Sequence, residues 1–397
     1  MASEWKTDLL GNLCLMKNGY AFKSKDFVSQ GIPVIKIKNV KPNRILVDDL
    51  SYVPADVAEQ RKKWLIEKGE ILLTMTGNRA DGSPESWVGK AAIFNESTPY
   101  LLNQRVSALK AKDEAVIDTN YLGYYLSSWQ TQLYFIKRAN SSGGQANISP
   151  EIVMNMPVHY PPLATQRKIV SILATLDQKI KTNAAINDNL ADLLQTVYQE
   201  HFGDVISAAD QGILSDICSF SKDKVAVSKL DVSTYFSTEN MLPGKFGATE
   251  ATSLPTTPQT TACHEGDTLI SNIRPYFKKI VYCEGECGCS TDVLCFTPAQ
   301  PRYAAYLFST LYADKFFAFM VAGSKGTKMP RGDKQQIMTY PVALPSDEEL
   351  EEFNALAFPI LMQIHSNRGE NKRLSAVRDA LLPKLMSGEI DVSDIQL

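Results

Sequence analysis

The sequence predicts an α+β protein in which two globular α/β domains are separated by two long antiparallel coiled-coil helices and related by an internal pseudo-twofold repeat. A length of 397 residues, with 44% hydrophobic and 21% charged residues, is typical of a globular chain of two or three domains. A pattern of strands and loops occurs twice, and each copy ends in an apolar heptad repeat. We expect domains at residues 1–163 and 204–346, and helices at 164–203 and 347–390.

Strand motifs recur in the same order in both halves. Residues 68–73 (KGEILL) and 265–270 (EGDTLI) each predict a glycine turn that leads into a buried strand and then a polar loop. Proline-bearing strands follow at 156–158 and 340–342. Because the order is kept while the spacing differs, duplication of one domain is the simplest explanation.

A helix is predicted after each proline-bearing strand. Thr165 is the expected N-cap of the first helix, and Ser346 with Glu349 predicts a capping box for the second. Both helices are expected to end near a glycine, Gly203 or Gly388. Pro359 lacks an amide donor, so we expect a kink or an interruption there.

The heptad seam predicts how the two helices pair. In an antiparallel arrangement Asn183 faces Asn371 and Asn187 faces Asn367, and buried amides that find each other fix the register. Two ordinary amphipathic helices, each packed on its own domain, are the alternative. The seam positions are Ile169, Leu173, Leu176, Ile180, Asn183, Asn187, Leu190, Leu194, Val197 and His201, then Phe353, Ala357, Ile360, Ile364, Asn367, Asn371, Leu374, Arg378, Leu381 and Leu385.

The net charge and the hydrophobic pattern limit how this protein could bind nucleic acid or a membrane. The formal charge of −3 gives no global attraction to nucleic acid, so DNA binding needs local patches. Without an apolar run of signal-peptide or membrane-spanning length, we expect a cytoplasmic protein that does not bind a membrane.

Seven cysteines argue against a disulfide framework. The C-x3-C-x-C-x5-C spacing at 283–295 admits a zinc site, but packed free thiols are favoured because paired CxxC knuckles are missing.

Basic and polar loop residues are the candidate DNA contacts. Residues 17–44 hold seven basic residues and one acid, a local charge of +6 that suits phosphates. Asn and Gln can bond adenine, and Arg can bond guanine. Ser-Gly runs are usually solvated turns, but here a glycine-bearing loop occurs at equivalent places in both halves. The candidates are Lys23, Lys25, Lys36, Lys38, Thr76, Asn78, Arg79, Asn103, Gln104, Arg105, Ser142, Gly143, Gly144, Gln145 and Asn147, then Asn272, Arg274, Lys278, Lys279, Ser324, Lys325, Thr327, Lys328 and Arg331.

Catalytic and metal motifs are missing from the sequence. It holds neither a phosphate-binding G-x-x-x-x-G-K-[ST] loop nor an HExxH pair, and the four histidines are scattered. A glycine-rich turn for a dinucleotide or S-adenosylmethionine is also missing, so we expect a chain that binds no cofactor or metal and has no catalytic residues. A self-contained nuclease or methyltransferase is disfavoured.

Together these motifs resemble the specificity subunit of Type I restriction-modification systems, over nearly the whole chain. The second half departs from the pattern at residues 222–225 (KDKV), where the first half has the fuller 18–22 motif (NGYAF). The segments that carry the resemblance are 18–24 (NGYAFKS), 31–35 (GIPVI), 69–72 (GEIL), 147–149 (NIS), 161–169 (PPLATQRKI) and 381–390 (LLPKLMSGEI).

The resemblance implies two target-recognition domains, each reading one half of a bipartite site in double-stranded DNA, with the helices setting the spacer. It also implies that the helices dock two modification subunits, which carry S-adenosylmethionine and methylate adenine. Restriction subunits that use ATP and magnesium would join in the full complex. The alternative function is a protein-binding coiled-coil scaffold without direct base readout.

Overall fold

The computed structural model describes residues 5–47, 49–78, 86–142, 144–203 and 211–395. It divides into two compact units. Unit 1 comprises residues 1–180 and 372–397, and unit 2 comprises residues 181–371. Each unit therefore contains part of both long helices.

Unit 1 contains two four-stranded sheets and smaller sheets. Its strands are β1 (Lys6–Leu9), β2 (Cys14–Asn18), β3 (Ile32–Ile35), β4 (Val40–Lys41), β5 (Arg44–Ile45), β6 (Ser51–Val53), β7 (Leu65–Ile66), β8 (Ile71–Thr74), β9 (Thr76–Gly77), β10 (Ala91–Ile93), β11 (Tyr100–Leu102), β12 (Val106–Ala111), β13 (Asn140–Ser142), β14 (Gln145–Asn147) and β15 (Pro157–Tyr160). Its shorter helices are α1 (Leu10–Leu13), α2 (Ala55–Glu59), α3 (Thr119–Ser127), α4 (Trp129–Arg138) and α5 (Pro150–Met154). The long helix α6 (Leu163–Phe202) begins here.

Unit 2 also contains two four-stranded sheets. Its strands are β16 (Gln211–Ile213), β17 (Cys218–Phe220), β18 (Lys224–Ala226), β19 (Tyr235–Phe236), β20 (Gln259–Cys263), β21 (Thr268–Ser271), β22 (Ile280–Tyr282), β23 (Cys287–Cys289), β24 (Val293–Pro298) and β25 (Pro341–Ala343). Its shorter helices are α7 (Leu214–Ile217), α8 (Ala304–Tyr312), α9 (Asp314–Ala322) and α10 (Lys334–Ile337), and the long helix α11 (Asp347–Ser387) begins here.

The main sheet has the same strand order in both units, which confirms the predicted repeat. The order is β10-β8-β12-β2 in unit 1 and β22-β21-β24-β17 in unit 2, with matching positions along the chain. The predicted buried strands are the inner strands β8 and β21, and all their residues are buried. In both units the proline-bearing strand pairs with the first strand, as β15 with β1 and β25 with β16.

The second sheet differs between the units at one edge. Strand β11 corresponds to β23, because β11 runs parallel to β3 and antiparallel to β7, as β23 does to β19 and β20. The fourth strand lies beside β3 in unit 1 but beside β20 in unit 2. That strand in unit 2 is β18, which begins at Lys224 within the segment where the sequence pattern departs.

The two long helices run antiparallel in the predicted register. In unit 2 the Asn183 Nδ2 lies 2.9 Å from Asn371 Oδ1, and the Asn367 Nδ2 lies 2.8 Å from Asn187 Oδ1. Every one of the twenty predicted seam positions is buried or half-buried. The asparagine pairs therefore satisfy amides that the seam removes from water.

Helix boundaries confirm most of the predicted caps. Ser346 and Glu349 form the capping box, with the Ser346 amide 2.8 Å from Glu349 Oε2 and the Glu349 amide 3.3 Å from Ser346 Oγ. Gly388 follows α11 with a φ of +76°, and Gly203 follows α6.

The predicted N-cap at Thr165 and an interruption at Pro359 are wrong, whereas a kink at Pro359 stays a prediction. Helix α6 begins at Leu163, because the Pro162 carbonyl accepts the amides of Thr165 and Gln166 and so replaces a side-chain cap. Helix α11 continues through Pro359, where the predicted interruption does not occur. Burial of Phe353, Ala357 and Leu361 on the same helix outweighs the loss of one backbone hydrogen bond.

The cysteines are packed thiols, as favoured from the spacing. All seven are free and buried. Cys263, Cys283, Cys287, Cys289 and Cys295 belong to one apolar cluster of unit 2. Among the described residues, no group of three or more metal-binding side chains is arranged to hold a metal ion.

Candidate nucleic-acid interface

In unit 1 two of the predicted loops meet in a small three-stranded sheet. Strand β9 pairs with β14, and β14 pairs with β13. The Thr76 hydroxyl donates a hydrogen bond of 2.7 Å to Asn147 Oδ1. Thr76 is buried and therefore positions Asn147, whereas Gln145 is exposed at the end of the β13–β14 hairpin, where Gly144 has a φ of +82°.

The turn of residues 103–105 joins the same edge of unit 1. The Met75 amide, next to Thr76, donates to the Arg105 carbonyl at 2.9 Å. Gln104 and Arg105 are exposed, and Asn103 is half-buried. A Cβ at Gly19 would lie 2.0 Å from the Asn103 carbonyl oxygen, so glycine is required where these two segments touch.

The four predicted lysines of unit 1 have different surroundings. Lys23 and Lys25 are exposed. The Lys36 ammonium lies 3.6 Å from the centre of the Phe27 ring, and burial, together with the charge of Lys38, lowers the pKa of Lys36. Lys38 forms an ion pair of 2.6 Å with Asp49, which offsets part of the predicted positive patch.

The remaining candidates of unit 1 adjoin these loops. Asn78 is exposed, and its amide nitrogen lies 3.2 Å from the Ser86 hydroxyl. Ser142 ends strand β13. The predicted contacts Arg79 and Gly143 lie outside the described residues.

In unit 2 the corresponding segments are paired in the same way. Ile273, which follows β21, forms a bridge with Arg331, and Arg331 forms a bridge with Lys325. The amides of Lys325 and Arg331 donate to each other's carbonyls at 2.9 Å. Thus the segment after the buried inner strand pairs with one arm of a glycine-bearing hairpin in both units.

Asn272 and Arg274 connect this hairpin to the sheet. Asn272 is 8% exposed, and its Oδ1 has no hydrogen-bond partner among the described residues, so the side chain lies beneath the loop rather than on the surface. The Arg274 amide donates to the Pro330 carbonyl at 2.8 Å. Arg274 is half-buried and has a φ of +51°, in the left-handed region.

Lys278 and Lys279 are partly occupied by other contacts. Lys278 forms an ion pair of 3.0 Å with Asp314, and Lys245 shares the same carboxylate at 2.6 Å. These hydrogen bonds lower the pKa of Asp314. The Lys279 ammonium donates to the Thr238 carbonyl at 2.6 Å, and burial lowers the pKa of Lys279. Lys279 is therefore held against the unit rather than directed to solvent.

The hairpin of unit 2 exposes the other candidates. Thr327 and Lys328 are exposed at its tip, and the Ser324 hydroxyl donates to the Val321 carbonyl at 2.7 Å. Lys325 pairs with Asp333, and Arg331 pairs with Asp292 at 3.0 Å.

The carboxylates of unit 2 that pair with these cations could not be predicted from the sequence. Asp292 and Asp314 are distant in sequence from Arg331 and Lys245, so no local spacing predicts either pair. Asp333 is close to Lys325, but it also caps α10 by accepting the amides of Gln335 and Gln336. The hydrogen bond from Lys325 and these amides lower the pKa of Asp333.

Of the helices that the structure describes, none combines the length and the apolar composition needed to cross a bilayer.

One family model and several known proteins are similar to this chain. Residues 2–191 match the family model described as the Type I restriction modification DNA specificity domain. The putative type I restriction enzyme MjaX specificity subunit of Methanocaldococcus jannaschii is 26% identical over 181 residues, which cover 45% of this chain and 41% of the relative. The MjaIX specificity subunit of the same organism is 22% identical over 358 residues, 83% of this chain and 80% of the relative. The resemblance stated from the motifs is confirmed.

A solved structure supports the fold. The S subunit of a Type I restriction-modification system from M. genitalium aligns with a TM-score of 0.56 at 15% identity, over 96% of each chain. At that identity the likeness concerns the fold alone. The first relative named above is matched over less than half of its own length.

Proposed function

We propose that this chain, which resembles the specificity subunits of Type I restriction-modification systems, is the non-catalytic subunit that gives such a complex its DNA sequence specificity. Each unit would read one half of a bipartite site in double-stranded DNA. Phosphate contacts would position the units, and polar side chains of the loops would select bases.

One observation carries the proposal: the loops pair in the same way in both units, but the side chains that they present differ. Unit 1 presents the amides of Gln145 and Asn147, and unit 2 presents Lys328 and Arg331 at the corresponding hairpin. Amide side chains suit the adenine edge, whereas guanidinium groups suit guanine. A shared framework with different tips is the arrangement expected if each unit reads a different half-site.

The long helices would set the spacer and dock two modification subunits. The 40 residues of α6 correspond to about 60 Å at 1.5 Å per residue. The asparagine pairs keep α6 and α11 in one register, which a fixed spacer requires. S-adenosylmethionine would be held by the modification subunits, and ATP with magnesium by restriction subunits in the full complex.

Methylation mapping tests this division of labour. The chain is co-expressed with its modification subunits, and the methylated adenines of the host DNA are sequenced. Gln145→Ala is expected to relax one half-site and Arg331→Ala the other, by about 1–3 kcal/mol of base discrimination each. Gln130→Ala, an exposed amide on α4 of unit 1, is the control and should change neither. Equal loss at both half-sites from either substitution contradicts the proposal.

A protein-binding scaffold without base readout is the second candidate. It is favoured by the ion pairs of Lys278, Lys325 and Arg331, which reduce the charge available to phosphates. Salt titration separates the two functions, because each phosphate contact releases counterions and steepens the dependence of log K on log salt. A flat dependence for the assembled complex favours the scaffold.

A further inference from the structure

A strained turn in unit 2 carries two exposed aromatic rings. Residues 274–278 (RPYFK) connect β21 to β22 through a 3-10 turn at Pro275–Phe277. Arg274 and Lys278, on either side, both have a φ of +51°. Residues other than glycine rarely adopt this conformation, and such strain clusters at functional sites.

The surrounding backbone holds the turn in place. The Phe277 amide donates to the Arg274 carbonyl and the Lys278 amide to the Pro275 carbonyl, both at 2.9 Å. The Lys278 carbonyl in turn accepts the Lys245 amide at 2.9 Å. The turn is thus anchored on both sides, and the strain is maintained by tertiary contacts rather than relieved.

The rings of Tyr276 and Phe277 project into solvent. They are 49% and 40% exposed, and their centroids lie 4.7 Å apart with the planes tilted by 58°. Together they form an apolar projection on the surface of unit 2. Exposed aromatic pairs of this kind mark recognition sites more often than scattered single apolar residues do.

Two cations belong to this turn and to the hairpin bonded to it. Arg274 and Lys328 form no ion pair in the described part of the chain, and an Arg274 guanidinium nitrogen lies 3.5 Å from the Lys328 carbonyl. Lys278 and Lys245 share the single carboxylate of Asp314. Positive charge therefore exceeds negative charge around the turn, which favours a polyanion as the occupant.

We propose that Tyr276 and Phe277 form an apolar wedge that inserts at a base step of the half-site read by unit 2, while Arg274 and Lys328 bind the flanking phosphates. The proposal rests on the proposed function and adds a specificity determinant to it. A wedge unstacks the step where it enters, and the energy of unstacking depends on the base sequence. Pyrimidine–purine steps deform most easily, so the wedge selects them without a hydrogen bond to any base edge.

The test uses the chain assembled with its modification subunits and a duplex that carries the methylation-mapped site. 2-Aminopurine, whose fluorescence rises when it is unstacked, replaces one base at a time outside the methylated adenine. Wild type is expected to raise the fluorescence at one step of the unit 2 half-site. Tyr276→Ala with Phe277→Ala should abolish this rise and weaken binding about tenfold, a typical loss when an aromatic stacking contact is removed.

Matched variants separate the wedge from a general defect. Tyr276→Phe keeps both rings and should keep the fluorescence rise. Val232→Ala removes part of another apolar side chain of unit 2, which is 37% exposed and lies outside the long helices, and should leave fluorescence and affinity unchanged. Equal thermal unfolding midpoints of the variants exclude misfolding.

The outcomes distinguish the two proposals. If the double alanine variant binds and fluoresces like wild type, the wedge is refuted while sequence-specific binding stands. If wild type raises the fluorescence at no step of the unit 2 half-site, the wedge is also refuted. If wild type binds the mapped duplex and a scrambled duplex equally, the proposed function itself fails.

Discussion

The asparagine pairs of the helix seam allow a quantitative test of register. Asn183 is 1% exposed and contacts both Asn371 Oδ1, at 2.9 Å, and Glu370 Oε2, at 2.7 Å. Asn183→Leu removes the amide that donates to both acceptors and buries an aliphatic side chain against polar groups. Because loss of one partner of a buried hydrogen bond costs about 1–3 kcal/mol, we expect the free energy of unfolding to fall by roughly that amount.

Replacing both partners should restore much of the loss. Asn183→Leu with Asn371→Leu places two aliphatic chains at facing seam positions, where removal of both polar groups at once is nearly neutral or stabilising. The double-mutant cycle should therefore give a coupling of about 1–3 kcal/mol. Asn189→Leu removes an exposed amide from the same helix, so this control combined with Asn371→Leu should be additive.

Urea denaturation of the full chain, followed by circular dichroism, measures all four corners of the cycle. The helix signal reports the region concerned, since α6 and α11 are the longest helices described. A coupling below about 0.5 kcal/mol, the usual limit of additivity, would refute the inference that the amides act as a pair.

Three further predictions concern the packing around the seam and the loops. Asp177→Ala removes the carboxylate that lies 2.8 Å from the half-buried Arg378 guanidinium. The unfolding free energy, measured by urea denaturation, should fall by about 1–3 kcal/mol. An unchanged unfolding free energy would contradict a structural role of this ion pair. The Glu286 carboxylate lies 2.9 Å from Nδ1 of His264 and raises the pKa of His264. The ion pair therefore stabilises unit 2 fully below the ordinary histidine pKa. This stabilisation is lost as the pH rises through the higher pKa of the folded state. Because His264 is partly exposed, we expect the ion pair to contribute less than about 1 kcal/mol to the unfolding free energy. His264→Gln should flatten the dependence of the unfolding free energy on pH between pH 6 and 8. A pH dependence of the variant parallel to that of wild type would contradict this prediction. Arg274→Gly relieves a left-handed residue and should raise the unfolding free energy by up to about 1 kcal/mol while weakening DNA binding; equal or lower stability would argue against strain.

The sequence predicted the helix seam because several constraints agree there. Apolar residues recur with heptad spacing, and the two asparagines occupy equivalent places in each copy. One antiparallel register satisfies all four amides, so long-range pairing could be deduced without coordinates. The inner strands β8 and β21 were predictable for a similar reason, since a glycine turn followed by an apolar run indicates a buried strand.

The local errors arose where a neighbouring group replaced the expected one. Thr165 has the side chain of an N-cap, but the Pro162 carbonyl already accepts the amides of the first turn. Pro359 lacks a donor, yet the buried residues on either side keep the helix continuous. Sequence reasoning treats such residues one at a time, whereas the fold balances them against distant packing.

The segments that form the candidate interface could be predicted from the sequence, but the individual side chains that are exposed there could be predicted less well. The loops after β8 and β21 and the glycine-bearing hairpins do come together within each unit, as the repeat implied. Whether a given cation is available to bind phosphate depends on carboxylates that are distant in sequence, such as Asp314, which pairs with Lys278. The aromatic turn was missed because exposure of Tyr276 and Phe277 is set by backbone strain, which local composition does not reveal.

The position of the two asparagine pairs explains why the seam tolerates polar residues at all. If one helix slipped by a heptad, Asn183 would face Ile364 or Arg378, and Asn187 would face Ile360 or Leu374. All four amides would then lose their present partners, a cost of several kcal/mol at about 1–3 kcal/mol each. Such a slip moves one helix along the other by about 10.5 Å, close to the length of three base pairs. A purely apolar seam would be more stable in isolation but would discriminate less between these registers. Under the proposed function, a slip of three base pairs would change which spacer is recognised, so the amides contribute to specificity through the register of the helices.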